Sequence, residues 1–123
     1  PQGFLGETKG DRLISNMSPL VIKTDDGITT IGSPGADRIS SAIAQVLINY
    51  SMNNDWKQAI DAPRFHVNGD GTVRAEPGSL EIDKNITITE DYDMYFGGVC
   101  VSGLNNGVFS HGDKRRGDTS WKN

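Results

Sequence analysis

A run of small residues, Gly32-Ser33-Pro34-Gly35-Ala36, lies between a β-branched stretch and a helical repeat. A loop that joins a strand to a helix start leaves N–H groups without intrahelical partners and biases them, through the helix dipole, toward negative charge. Small residues let a ligand approach that backbone closely. These are the needs of an oxyanion hole, whose donors stabilise the developing O⁻ of a tetrahedral intermediate. A plain tight turn has the same composition. A second cluster, Ser15-Asn16-Met17-Ser18-Pro19, sets short hydrogen-bonding side chains just ahead of a strand. They suit either a bound carboxylate or the local geometry of a turn.

Other reactive residue types carry weaker signals. His66 and His111 are far apart, with no acidic cluster at ligand spacing, so a zinc site is not indicated. Asn68-Gly69-Asp70-Gly71 is too short for a calcium loop and lacks its terminal glutamate, which leaves a hairpin turn. Cys100, the single cysteine, stands between Val99 and Val101 and reads as a buried free thiol. Arg38 either faces the pocket, to hold a second carboxylate, or pairs with Asp37 or Asp61. Trp56 reads as packing under a short helix, Trp121 as tail, and Glu90-Asp91-Tyr92-Asp93 as a solvated loop.

The elements that must position these groups follow from periodicity and turn chemistry. After an irregular lead over residues 1–14, a strand is expected over residues 17–23. Asp25-Asp26-Gly27 then turns the chain into a β-branched strand over 28–31, a strong hairpin signal. Pro19 suits a strand start or an edge. Ile39, Ala42, Ile43, Val46, Leu47 and Tyr50 recur on one face of a helix, with Ser33 or Asp37 as candidate caps. Asn54-Asp55 caps a second helix over 56–62, stopped by Pro63. Strands over 64–67 and 72–76 flank Asn68-Gly69-Asp70-Gly71. Further strands are expected over 86–89 and over 95–102, the latter bending at Gly97-Gly98, with a last hairpin at Asn105-Asn106-Gly107. The order is an α+β pattern with an antiparallel sheet. Two helices cover one face of that sheet, and its other face calls for cover from outside the chain.

The 123 residues suit one domain or a piece of one, with 35% apolar content and 15 glycines. A net charge of −4 argues against nucleic-acid or anionic-membrane partners, and Lys114-Arg115-Arg116 is too short a basic run to change that. No stretch approaches the ~20 apolar residues of a membrane span. Pro1-Gln2-Gly3-Phe4 has neither initiator Met nor signal-peptide character, so the expectation is a chain that begins inside a longer protein.

Four motifs carry a family resemblance. Arg12-Leu13-Ile14-Ser15-Asn16-Met17-Ser18-Pro19 resembles the Arg-Pro-Leu-Ser-Ser-Met-Ser-Pro signature of γ-glutamyltransferases, also called γ-glutamyltranspeptidases or glutathione hydrolases. Gly32-Ser33-Pro34-Gly35-Ala36-Asp37-Arg38-Ile39 is similar to that family's Gly-Ser-Pro-Gly-Gly-Ser-Arg-Ile. Ala59-Ile60-Asp61-Ala62-Pro63-Arg64-Phe65-His66 resembles Ala-Val-Asp-Ala-Pro-Arg-Phe-His, and Gly112-Asp113-Lys114-Arg115-Arg116-Gly117 resembles Gly-Asp-Pro-Arg-Arg-Gly. The motifs keep their order and cover almost the whole chain.

The resemblance implies residues 1–123 of an N-terminal-nucleophile hydrolase, the C-terminal portion of a small subunit within an αββα sandwich. In that family a self-cleaved precursor exposes an N-terminal threonine, which attacks the γ-glutamyl amide with its own α-amino group as base. Carried over by motif, Ser15 and Asn16 meet the substrate α-carboxylate, and Gly35 and Ala36 supply the oxyanion N–H groups. The implied partners are the rest of the small subunit, the large subunit and a small γ-glutamyl substrate. No cofactor is implied, and the family points to a periplasmic, secreted or cell-surface setting. The nucleophile falls before Pro1, so the isolated chain is expected to be inactive. A poly-γ-glutamate hydrolase of the same family and a non-catalytic homologue are the alternatives. Three departures stand out: Asn16 for a serine, Ala36 for a glycine and Lys114 for a proline. Ala36 is harmless unless its backbone needs φ > 0.

Overall fold

The strand expected over 17–23 begins only after Pro19, as β1 (Leu20–Thr24), which turns at Asp25-Asp26 into β2 (Gly27–Gly32). The computed structural model describes residues 15–79, 86–117 and 120–122; the lead over residues 1–14, including Arg12, Leu13 and Ile14 of the first motif, lies outside them. Gly27 is paired with Thr24 as the first residue of β2, and its need for glycine is steric. A Cβ there would sit 1.9 Å from the Leu104 carbonyl oxygen on the neighbouring strand.

Next come a 3₁₀ turn (Ala36–Arg38), α1 (Ile39–Asn53) and α2 (Trp56–Asp61). Asn54 closes α1 in the left-handed region and donates its N–H to Tyr50 O. Asp55 caps α2 through Gln58 N–H. Then β3 (Phe65–Val67), β4 (Val73–Ala75) and β5 (Ile86–Ile88) form a small sheet in which β3–β4 is antiparallel and β4–β5 parallel. Finally β6 (Cys100–Asn105), β7 (Val108–His111) and β8 (Ser120–Lys122) join the first hairpin in a five-stranded antiparallel sheet of order β1-β2-β6-β7-β8.

The α+β architecture holds, with three further local corrections. The strand expected over 95–102 starts only at Cys100, because Met94–Phe96 wind into a 3₁₀ turn capped by the Asp93 side chain and released by Gly97 at φ 85°. Cys100 is exposed: in a strand, buried Val99 and Val101 on either side direct the residue between them to the opposite face. Trp121 belongs to the edge strand β8, its side chain half exposed.

The core lies between the large sheet and the helices. Ile31, Val101 and Phe109 meet Ile39, Ala42, Ile43 and Val46 of α1 and Trp56, Ala59 and Ile60 of α2. Each of the larger aliphatic and phenylalanine side chains among them contributes on the order of 1.5–3 kcal/mol by leaving water. Tyr50 stacks on Trp56 with ring centroids 3.6 Å apart. Strand alternation puts Val21, Ile28, Leu104, Val108 and Trp121 on the other face, where all five are exposed.

A second, polar centre sits beside this core. Arg64, Glu76, Asp113 and Arg115 are all buried. Arg64 reaches Asp113 at 2.8 Å, and Arg115 pairs with Asp113 at 3.1 Å and with Glu76. Two cations and two anions cancel, and backbone groups take up most of the remaining bonding capacity, with Arg64 Nε alone in the cluster lacking a partner among the described residues. Arg64 donates to the carbonyls of Ile60 and Phe96, and Arg115 to those of Ile60 and Ala62. Glu76 accepts from Arg64 N–H and Asp93 N–H, and Asp113 from Val99 N–H and Arg115 N–H. Burial lowers the Arg64 pKa, with the nearby Arg115 charge acting the same way. Burial opposes charge on Arg115 as well, but hydrogen bonding to Glu76 and attraction from Asp113 outweigh it and raise its pKa. Removing one member strands the others as buried charge. Asp113→Ala is therefore expected to destabilise the full-length protein by about 3–5 kcal/mol, measured by urea unfolding. Lys57→Ala, at the half-exposed pair with Asp61, should cost less than about 1 kcal/mol.

Candidate active site

Small residues between β2 and α1 let this loop adopt backbone angles that most residues avoid. Gly35 has φ 132° and Ala36 has φ 53°. Arg38 N–H then bonds Gly35 O at 3.1 Å, and Ile39 N–H bonds Ala36 O. Among the described residues, the N–H groups of Gly35 and Ala36 have no hydrogen-bond partner. Neither expected cap is used. Arg38 occupies the cap position of α1 without a side-chain cap bond, because the 3₁₀ turn intervenes and the side chains of Ser33 and Asp37 are engaged elsewhere. Two N–H groups are thus left at a helix entrance, where an anion is favoured.

Ser15, Met17, Ser18 and Pro19 line a cavity of about 430 Å³ together with Gly32 and Ser33. Two motifs separated in sequence therefore share one hollow beside the loop. Ser15 Oγ accepts from Met17 N–H at 3.2 Å and is exposed; Asn16 is half-buried, and its carbonyl accepts from Ser18 Oγ at 3.1 Å. These are turn contacts, and among the described residues the Ser15 hydroxyl hydrogen and the Asn16 side-chain amide have no partner. Asn16, Gly35, Ala36 and Arg38 do not line this cavity.

Arg38 pairs with Asp37, donates Nε–H to Tyr95 O at 3.2 Å, and lies 4.5 Å above the Tyr95 ring. Arg74 lies 4.1 Å from the same ring. Tyr95 donates its hydroxyl to Asn68 Oδ1 at 2.5 Å. Behind α1, Ser41 Oγ and His66 Nδ1 are 2.9 Å apart, while Gln45 brackets Phe65 by donating to its carbonyl and accepting from its N–H. Burial pushes the His66 pKa down; the Asp37 charge opposes this in part, and Arg38 adds a smaller push in the same direction as burial. Among the described residues no group of three or more His, Cys, Asp or Glu side chains is placed to hold a metal ion, and no helix is long and apolar enough to cross a membrane.

Sequence reasoning did not find the segment that backs the loop. Gly97 and Gly98 pack against Ser33 and Pro34: a Cβ on Gly97 would lie 2.8 Å from Ser33 Oγ and 3.0 Å from Pro34 O. The double glycine was the available signal, and it read as a bend in a strand.

Solved structures share this fold. The transpeptidase enzyme CapD of Bacillus anthracis superposes with TM-score 0.76 at 26% identity, covering 93% of this chain and 74% of that one. A γ-glutamyltranspeptidase from Pseudomonas nitroreducens, complexed with L-DON, gives 0.67 at 25%, covering 87% and 62%. The fold is accordingly that of an N-terminal-nucleophile hydrolase. The gamma-glutamyltranspeptidase family model matches residues 8–100, and the chain belongs to that family. A glutathione hydrolase proenzyme of Pseudomonas sp. (strain A14) is 44% identical over 62 residues, 46% of this chain and 10% of that protein. Human glutathione hydrolase 5 proenzyme is 36% identical over 81 residues, 63% of this chain and 14% of that protein. The chain thus spans a small share of these curated relatives' length, and both relatives are proenzymes.

Two outcomes follow from the geometry. A left-handed alanine costs about 1–2 kcal/mol, partly offset by the ~0.4–1 kcal/mol that glycine gives to the unfolded chain. Ala36→Gly should therefore stabilise the full-length protein by about 0.5–1 kcal/mol in urea unfolding. For His66, a pKa lowered in the fold means that the unfolded chain binds the proton first. Its contribution is fully present above the ordinary histidine value of about 6.5 and is lost as pH falls through that value toward the folded one. Melting temperatures of wild type and His66→Gln, compared from pH 7.5 to 5, should show the variant losing part of the acid sensitivity.

Proposed function

We propose that the protein containing this chain performs γ-glutamyl acyl transfer or hydrolysis on glutathione and related γ-glutamyl amides, and that this segment supplies the anion-binding half of the site. The observation that carries the reading is the loop entering α1, with the two unpaired N–H groups of Gly35 and Ala36 beside a cavity lined by Ser15 and Ser33. The family match supports it.

In this reading an N-terminal threonine, contributed from outside these residues, attacks the γ-carbonyl carbon through Oγ and passes its proton to its own α-amino group. The carbonyl oxygen becomes an oxyanion and accepts from Gly35 and Ala36 N–H. The C–N bond then breaks, and the amine leaves with the proton. Water or an amino acid takes the γ-glutamyl group from the ester in the second half-reaction. Ser15 Oγ–H and the Asn16 amide donate to the substrate α-carboxylate. Arg38, its Nε and Nη1 already engaged, acts through charge over the loop entrance.

Partners follow from the open sheet face. Val21, Ile28, Leu104, Val108 and Trp121 form an exposed apolar band that the remainder of the small subunit and the large subunit cover in this reading. The non-catalytic alternative draws on Ala36, whose left-handed backbone departs from what an alanine favours.

Intact-mass measurement and N-terminal sequencing of the full-length product test the proposal. Two chains are expected, the smaller beginning with threonine. A single chain with no threonine at a cleavage point would leave a non-catalytic homologue. In the active protein, Ser15→Ala should raise KM for a γ-glutamyl anilide about 10-fold, from the loss of a charge-assisted bond of about 1.5 kcal/mol, with a smaller effect on kcat.

A further inference from the structure

Building on the acyl-transfer reading above, we propose that Ser33 is a positioning residue that holds the oxyanion loop in register through the Gly97-Gly98 segment. Ser33 Oγ donates to Pro34 O at 2.8 Å and accepts from Gly98 N–H at 3.2 Å. One hydroxyl thereby joins segments 65 residues apart. Its hydrogen is committed to Pro34 O, so the side chain acts on the loop backbone.

The surroundings are built for this contact. Gly97 has φ 85°, and the space a Cβ would need there is filled by Ser33 Oγ, Pro34 O and, at 3.4 Å, Ala42 Cβ. A Cβ on Gly35 would meet Gly97 Cα at 3.3 Å. On Gly98 it would meet Arg116 Cγ at 2.3 Å. Two backbones therefore run close together, with the Ser33 hydroxyl reaching between them. The backing segment is itself fixed from behind: Val99 N–H donates to Asp113 Oδ2 at 2.8 Å, and Phe96 O accepts from Arg64 at 3.2 Å. A continuous path of bonds runs from the buried ion cluster, through residues 96–99, to Ser33 and the loop.

The loop requires such a tether. Pro34 has no N–H to bond with, and Ala36 is held at a backbone angle that relaxation would abandon. Losing the Ser33 hydroxyl also leaves the buried Gly98 N–H without its acceptor. The Gly35 and Ala36 N–H groups would then drift from the oxyanion position, and small misplacements of such donors act on the transition state more than on ground-state binding.

The test compares Ser33→Ala and Ser33→Thr in the full-length protein with a chromogenic γ-glutamyl anilide. Ser33→Ala is expected to lower kcat about 10- to 100-fold with KM within about twofold, and Ser33→Thr to recover most of the loss. Amide hydrogen exchange over residues 33–38 should accelerate in Ser33→Ala while the melting temperature stays near wild type. Unchanged kcat, an equal change carried by KM, or unchanged exchange over 33–38 would each overturn the proposal. If Ser33→Ala blocks processing, exchange in its precursor against the wild-type precursor decides on the same criteria. A wild-type protein that turns over no γ-glutamyl substrate sinks the functional reading instead, and the exchange comparison still reports whether Ser33 holds the loop.

Discussion

Four charged side chains with no access to bulk water organise this molecule. Arg64, Glu76, Asp113 and Arg115 come from the link between α2 and β3, from the residue after β4 and from the segment after β7. Buried charge is tolerated only when paired and fully hydrogen-bonded. The cluster comes within one donor of that condition, Arg64 Nε being without a partner among the described residues, by consuming the carbonyls of Ile60, Ala62 and Phe96 and the N–H groups of Arg64, Asp93 and Val99. Most of those backbone groups, at Ala62, Arg64, Asp93 and Val99, belong to the connections between elements. The ion cluster thus orders the irregular backbone, while the core orders the regular elements.

This division of labour bears on the candidate site. The helix entrance bearing Gly35 and Ala36 rests on one side against α1, whose apolar face is sealed by Ile31, Val101 and Phe109. On its other side it rests against Gly97-Gly98, anchored through Val99 and Phe96 to the charged cluster. A loop that must present bare N–H groups cannot bond them to itself, so its rigidity has to come from neighbours. Glycine at 97 and 98 is what allows the neighbours to approach that closely.

The same chain shows where local rules give way. Ala36 occupies a left-handed backbone position for which glycine is the unstrained residue, and the fold holds it there. The sheet face opposite the helices carries Val21, Ile28, Leu104, Val108 and Trp121 in contact with water, although all are residue types suited to burial. Strain at a helix entrance and apolar side chains on an open sheet face mark the places where a domain serves something beyond its own stability.

Much of the scaffold was legible in the residues. The 3.6-residue recurrence from Ile39 to Tyr50 specified α1 and its buried face, Asp55 and Pro63 bounded α2, and the turn residues at 25–27, 68–71 and 105–107 located three hairpins, since these signals are local. Four motifs pointed to the family and to Ser15, Asn16, Gly35 and Ala36 as candidates. What required the tertiary structure was everything set by long-range pairing. Cys100 faces outward because strand parity overrides its apolar neighbours. Residues 94–96 wind into a turn because Asp93 caps them and Glu76 holds Asp93 N–H. The Ala-Pro-Arg and Gly-Asp-Lys-Arg-Arg motifs, far apart in the chain, meet in one ion cluster, and Ser33 finds its partner 65 residues away. Local composition specifies turns and periodicity; which distant backbone a hydroxyl or a carboxylate must satisfy is decided only when the chain has closed on itself.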